Sequence, residues 1–280
     1  DWMRPQSKAR AQRKLAAITK KIGYPDTWAD YSTLTVADGE PYAALVRQVR
    51  VWNHARDVAR IGKPTDRTLW GMTTPVVNAY YNPQNNEIVF PAGILQPPVF
   101  NATADDAVNY GAVGAVIGHE MTHGFDDQGR QFDETGNLAD WWTARDAAAF
   151  DQRAQCIVDE YNGFEPLPGV RTNGKLVQGE AVADLGGTAI AFKAFQRTRQ
   201  YKAGRKIDGY TPEQRFFLAY AQVWRSLQTE EYTRRMAVID PHPQDRLRVI
   251  GTLSNMPEFR SAFRCAANAA MVRKYPCRIW

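Results

Sequence analysis

His119 and His123 stand four residues apart, with Glu120 directly after the first. On an α-helix that spacing stacks both imidazoles on one face, a turn apart. Val113, Val116 and Ile117 precede them, so the helix reads as a core helix. Two histidines and a carboxylate placed in a core cost stability unless they are partnered. Imidazoles so spaced can hold one Zn²⁺ at about 2.0–2.1 Å each. A glutamate beside the first ligand reaches a water in the open metal position, which is the general-base arrangement of metal-assisted peptide hydrolysis. Whatever else the chain folds into must bring a further ligand to this helix.

A catalytic zinc needs a third protein ligand. The remaining histidines are His54 and His242, and the position six residues past His123 is Gly129, so a third histidine at the metzincin spacing is excluded. A carboxylate is then expected. The best candidate lies in Gly179-Glu180-Ala181-Val182-Ala183-Asp184-Leu185-Gly186-Gly187. Glu180 and Asp184 share a helix face in an otherwise small, apolar segment. Glu180 can ligate the metal while Asp184 takes the outer N–H of a ligand histidine.

The 280 residues allow one large domain or two small ones. No apolar run reaches the roughly 18 residues of a membrane span, and no signal peptide is visible. The start at Asp1, in a charged helical pattern, is read as the interior of a longer precursor. The net charge of +5 gathers between Lys8 and Lys21 and between Arg197 and Lys206. Without a recognition motif these stretches read as solvated helix faces and a linker, and no nucleic-acid partner is expected. Three cysteines, Cys156, Cys265 and Cys277, form no Cys-x-x-Cys pair, which excludes a cysteine zinc site.

Along the chain, residues 7–22 are expected as a basic helix with Leu15, Ile18 and Ile22 on its apolar side. Residues 24–39 read as a connector and 40–61 as a second helix. Residues 76–81 and 87–90 read as strands around a turn at 82–86. Helices are expected near 105–125, 142–163, 178–200, 212–230, 244–251 and 257–270. The class is mainly α with a small β-sheet, divided into a helical tail, 1–62, and a catalytic domain, 63–280.

With these pieces in hand, the sequence resembles the neprilysin family of zinc endopeptidases and is read as a bacterial member. The matching segments run in order. They are Val77-Asn78-Ala79-Tyr80-Tyr81, Ile88 to Pro98, Val116 to Asp127, Leu138-Ala139-Asp140-Trp141-Trp142, the Glu180 segment, Arg248 to Leu253 and the closing Cys277-Arg278-Ile279-Trp280. The resemblance implies a thermolysin-like (gluzincin) catalytic lobe and one zinc per chain, held by His119, His123 and Glu180, with Glu120 as base. It places Asp184 behind a zinc histidine, where orientation is favoured over proton donation, and one of Asp126 and Asp127 behind the other. It makes His242 the donor to the tetrahedral oxyanion and Arg248 the ligand of a substrate carbonyl. Asn78 and Ala79 would pair with the substrate backbone as an added strand.

The same resemblance implies a pocket for the residue after the scissile bond, formed by Ile94, Val99, Ala115, Val116, Val223 and Trp224, hence a hydrophobic preference there. Val99 and Ala115 suggest a roomy pocket. It also implies a Cys156–Cys277 disulfide, a partner for Cys265 in a missing N-terminal cap region supplied in cis or as a separate chain, and an oxidising compartment. The chain would then be secreted or periplasmic, with anchoring through a preceding segment open. The expected activity is hydrolysis of internal bonds of oligopeptides. The alternatives are a zinc-binding scaffold without catalysis and a gluzincin aminopeptidase.

Overall fold

The computed structural model describes residues 2–280. The chain divides into two compact units, one formed by Asp1–Gly23 with Thr74–Trp280 and the other by Tyr24–Thr73. The first helix and first strand are built into the unit that holds His119.

That unit begins with α1 (Pro5–Ala16) and β1 (Thr19–Gly23), followed after the other unit by β2 (Tyr80–Asn82) and β3 (Glu87–Pro91). The sheet order is β1-β3-β2, with β1 parallel and β2 antiparallel to the central β3. All five residues of β3 are buried, as expected of a strand covered on both faces. Its Glu87 is paired with Lys21 of β1, Nζ to Oε2 at 2.8 Å. The expected strand over 76–81 is formed only from Tyr80.

The expected amphipathic helix over 7–22 differs in two ways. It ends at Ala16, and its chain continues as β1, which places Ile22 64 % exposed. Leu15 is 41 % exposed, and the helix instead buries Ser7 and Lys14, both at 0 %. The basic stretch is therefore not simply a solvated face. In the second unit, α2 (Tyr42–Val58) buries none of its residues. Its Trp52 stacks on Tyr31 and carries the Arg56 guanidinium at 4.4 Å.

The remainder is helical. A continuous helical run comprises α3 (Asp106–Asn109), a π-helical turn (Tyr110–Gly114) and α4 (Ala115–His123). Then come α5 (Ala144–Asn162), α6 (Gln178–Phe195), α7 (Arg199–Ala203), α8 (Pro212–Val223), α9 (Glu230–Ile239), α10 (Asp245–Ser254) and α11 (Pro257–Ala262). The expected helix over 212–230 stops at Val223, and α9 follows it with Thr229 as its cap, whose side chain accepts the N–H of Tyr232. Two-thirds of α6 is buried, including Val182, Thr188 and Phe195 at 0 %, so it is an interior helix.

Two apolar clusters flank the α4–α6 pair. The larger gathers Phe192 and Phe195 of α6 with Phe216 and Phe217 of α8, and Trp141, Trp142 and Phe150 near α5. The smaller joins Ile18, just before β1, and Ile88 and Phe90 of β3 to Ile94, Val99 and Val113. The helices α4 and α6 meet through glycines. A Cβ on Gly118 would stand 2.4 Å from the Gly187 carbonyl oxygen, and one on Gly187 only 2.2 Å from the His119 amide nitrogen. This close approach presses the histidine face of α4 against the carboxylates of α6.

Candidate metal centre

The α4 helix places the two imidazoles edge to face with ring centroids 4.4 Å apart. Their Nε2 atoms are 2.9 Å apart. From α6, Glu180 Oε2 lies 3.2 Å from His119 Nε2 and Oε1 lies 3.5 Å from His123 Nε2. The outer nitrogen of each ring meets an aspartate. His119 Nδ1 is 2.8 Å from Asp184 Oδ1, and His123 Nδ1 is 2.7 Å from Asp126 Oδ2.

These contacts fix the chemistry of the donor set. A carboxylate only accepts, so each Nδ1 carries the proton and each neutral ring turns its Nε2 lone pair inward. Two lone pairs and a carboxylate then converge on one point, an arrangement that repels unless a cation sits within it. Donors at about 2.0–2.1 Å from a tetrahedral zinc are separated by roughly 3.3 Å, close to the three spacings found here. The residues present therefore fit a zinc ion. His119, Glu120 and His123 also approach within 4.8 Å of one another, but the two-sided contact with both Nε2 atoms belongs to Glu180.

Burial disfavours charge on His119 and His123, yet the hydrogen-bonding carboxylates outweigh it and hold both pKa values above the ordinary imidazole range in the metal-free chain. For Glu180, burial is likewise overcome by the two histidines, and its pKa falls well below the carboxylate range. Glu120 behaves oppositely. Burial raises its pKa, and the neighbouring positive charges only partly counter this. It is thus a more basic carboxylate than Glu180 and suited to carry a proton.

Asp184 is clamped. Besides His119 it accepts two hydrogen bonds from Arg248, from Nε and Nη2, both at 2.7 Å. Arg248 is itself buried, lies 3.5 Å from Glu180 Oε2 and stacks at 3.8 Å on the Trp224 ring. A carboxylate held by a guanidinium and an imidazole keeps its charge, which matches an orienting role and leaves no proton to donate. Of the two neighbouring aspartates, Asp126 takes the His123 role, and its Oδ1 also accepts the N–H groups of Gln128 and Gly129. Asp127 has no such contact; its Oδ1 is buried without a hydrogen-bond partner among the described residues.

His242 reaches the centre from the loop before α10, with Nε2 3.3 Å from Glu180 Oε1. Asp240 fixes it by accepting both the His242 backbone N–H, at 2.9 Å, and the ring Nδ1–H, at 2.6 Å. Sequence reasoning assigned no role to Asp240. The available signal was an aspartate two residues before a proline-flanked histidine, the spacing of an Asx turn. A cleft of about 200 Å³ opens beside His242, lined by Val177, Tyr232, Met236, Gln244 and Arg248 among others.

The apolar residues expected around the substrate side chain come together in part. Ala115, Val116, Val223 and Trp224 line one pocket with Ala112 and Tyr220, between α4 and α8. Ile94 and Val99 belong to the adjoining apolar cluster, against which Val116 and Val223 pack. The free space between these residues is about 10 Å³, room for a single water, and Val99 and Ile94 are not part of its lining. Asn78 and Ala79 directly precede the edge strand β2, and the Ala79 N–H is bonded to the Asn78 side chain at 2.9 Å. Cys156 and Cys277 form a disulfide with their Cα atoms 5.7 Å apart. Cys265 has no disulfide partner among the described residues.

The sequence pattern of peptidase family M13 matches residues 78–279. Neprilysin-11 of Caenorhabditis elegans is 42 % identical over the whole chain, which spans 34 % of that relative. Endothelin-converting enzyme 1 of Rattus norvegicus is 40 % identical over the whole chain and 38 % of its own length. Among solved structures, the inhibitor complex of Mycobacterium tuberculosis zinc metalloprotease Zmp1 superposes with a TM-score of 0.93 at 40 % identity, covering all of this chain and 43 % of that one. PepO from Lactobacillus rhamnosis gives 0.89 at 34 % identity, covering 98 % of this chain and 42 % of that one. The chain thus spans well under half the length of each.

Proposed function

The chain belongs to peptidase family M13, and on that premise we propose that it is the catalytic part of a zinc endopeptidase acting on oligopeptides. One observation carries the reading. The inward-facing Nε2 atoms of His119 and His123 and the Glu180 carboxylate converge, while Asp184 and Asp126 hold the outer nitrogens.

His119, His123 and Glu180 would hold the zinc, which when bound would supply Lewis acidity toward the scissile carbonyl and a lowered pKa for the attacking water. Glu120 takes the proton from that water and passes it to the leaving amine, a transfer favoured by its raised pKa. His242 presents Nε2 toward the oxygen that becomes negative, and Asp240 fixes the ring by holding Nδ1–H. With Nδ1 so occupied, Nε2 donates only from the imidazolium form. Arg248 keeps Asp184 charged and is offered as the contact to a substrate carbonyl. Asn78 and Ala79, which directly precede β2, are offered as the sites where an extended peptide would add as a strand.

The apolar lining of Ala115, Val116, Val223 and Trp224 supports a hydrophobic residue after the scissile bond, with the side chains moving apart to admit it. A further region that would cover the site and pair with Cys265 is part of the same proposal; this chain spans 34–38 % of the two relatives. The disulfide supports an oxidising compartment, outside the cytoplasm. Among the described residues no helix is long and apolar enough to cross a membrane.

The test is metal analysis of the full protein together with cleavage mapping of a peptide library. One zinc per chain and internal cleavage before hydrophobic residues are expected. Removal of N-terminal residues alone would overturn the endopeptidase reading.

A further inference from the structure

Lys14 is wholly buried. Burial lowers its pKa to about 8, against the raising pull of Asp126, Asp133 and Glu134. A buried ammonium is costly unless every N–H is matched. Here the match is complete: Nζ donates to the carbonyl oxygens of Gly124, Gly129 and Phe132, each at 2.7 Å. The rings of Tyr81, Phe125 and Trp141 surround it at 5.6–6.0 Å, a cation–π environment.

The three carbonyls belong to one segment, and that segment begins immediately after His123. It holds Asp126, whose Oδ1 accepts the Gly129 N–H at 2.7 Å and whose Oδ2 holds His123 Nδ1 at 2.7 Å. Gly124 and Gly129 are therefore gripped on their carbonyl side by Lys14, while Gly129 is gripped on its N–H side by Asp126. The segment has no regular structure beyond the short turn Gly129–Gln131. Other bonds also hold it, among them Arg130 N–H to Asp126 O at 3.1 Å, Ala139 N–H to Gln131 O at 2.8 Å and Trp141 Nε1–H to Phe132 O at 3.0 Å, and Lys14 ties three of its carbonyls to α1.

We propose that Lys14 is a positioning residue for the zinc centre: its ammonium fixes the 124–132 segment so that Asp126 presents its carboxylate to His123. This rests on the zinc reading above. It gives α1, more than a hundred residues away in sequence, a role in metal retention and turnover that its composition does not suggest.

The test compares two buried side chains of the same helix in the full protein. Lys14→Met keeps the aliphatic stem and removes the charge and its donors. Ser7→Ala removes the hydroxyl that accepts the Thr143 N–H, a contact to the start of α5 remote from the metal. Zinc affinity is read by competition with a chelator, beside kcat and KM. The expectation is about a tenfold loss of zinc affinity for Lys14→Met, as for a lost partner of a ligand histidine. Its kcat at saturating zinc should fall while KM stays within twofold, and Ser7→Ala should leave zinc affinity within twofold. Equal zinc affinity in Lys14→Met and native protein, or equal losses in both variants, overturns the proposal. If Lys14→Met does not fold, Lys14→Gln, which keeps two donors, carries the test: a smaller loss in the same direction supports the role, and native affinity overturns it. Native protein that binds no zinc would refute the zinc reading itself, a result distinct from any difference between variants.

Discussion

Gly187 and His119 are in backbone contact across two helices: a Cβ on the glycine would stand 2.2 Å from the histidine amide nitrogen. The metal centre depends on this approach, because it sets how far the α4 imidazoles lie from the α6 carboxylates. Neither helix can retreat without separating His119 from Glu180 and Asp184. Gly187→Ala should therefore destabilise the fold by about 1–3 kcal/mol through over-packing and lower zinc affinity as well. Denaturant unfolding with chelator competition checks both. Gly114→Ala, at φ −61° with no atom nearer than 3.5 Å to an added Cβ, serves as the control.

Asp126→Asn and Asp184→Asn should each lower zinc affinity about 10–100-fold, since each removes the charged partner of a ligand histidine. They should differ in stability. Asp184 also neutralises Arg248, which is 5 % exposed, and removing one partner of a buried ion pair costs about 3–5 kcal/mol. Asp126→Asn should cost less. Urea unfolding of the two metal-free variants would separate them.

The metal-free chain should respond to pH in a defined direction. His119 and His123 have folded pKa values above their ordinary 6.5, so the stability they contribute is present below that value and is lost as pH rises through the folded pKa. Glu180, held well below 4.5, contributes stability above its ordinary value and loses it as pH falls. The metal-free chain should be most stable between these limits. Zinc affinity should instead rise with pH, because protons leave both rings on binding. Thermal melts with chelator or zinc, taken across pH, check the opposed slopes.

Reducing the Cys156–Cys277 bond should lower stability by about 2–5 kcal/mol. It closes a separation of 121 residues and ties the chain end to α5. There the Cys277 N–H is held by Asn255, which donates to buried Glu160 at 2.7 Å. Unfolding with and without reductant measures the loss.

The convergence of His119, His123 and Glu180, and the helices carrying them, were legible in the sequence because their signal is local: fixed spacing on a helix, and a run of small apolar residues around Glu180. The disulfide came from the family resemblance, not from composition. What escaped was decided by contacts across the fold. Lys14 reads as a solvated residue until three carbonyls and three rings close over it, while Leu15 beside it stays 41 % exposed. The choice of Asp126 over Asp127 turns on which carboxylate the turn after α4 directs back at His123. Asp240 shows its role only once His242 is swung toward Glu180. The Trp224 ring lying on Arg248 is a contact between α10 and the residue after α8 that no local pattern announces.

Glu120→Gln in the full protein tests the account most directly. The amide occupies the same space next to His119 but cannot take a proton, and Glu120 is not among the three ligands. Zinc content should remain at the native level while peptide hydrolysis falls by at least about a thousandfold, a loss of about 4 kcal/mol of transition-state stabilisation. A variant that keeps its zinc and cleaves peptides at the native rate would contradict the assignment of Glu120, and with it the mechanism built on this centre.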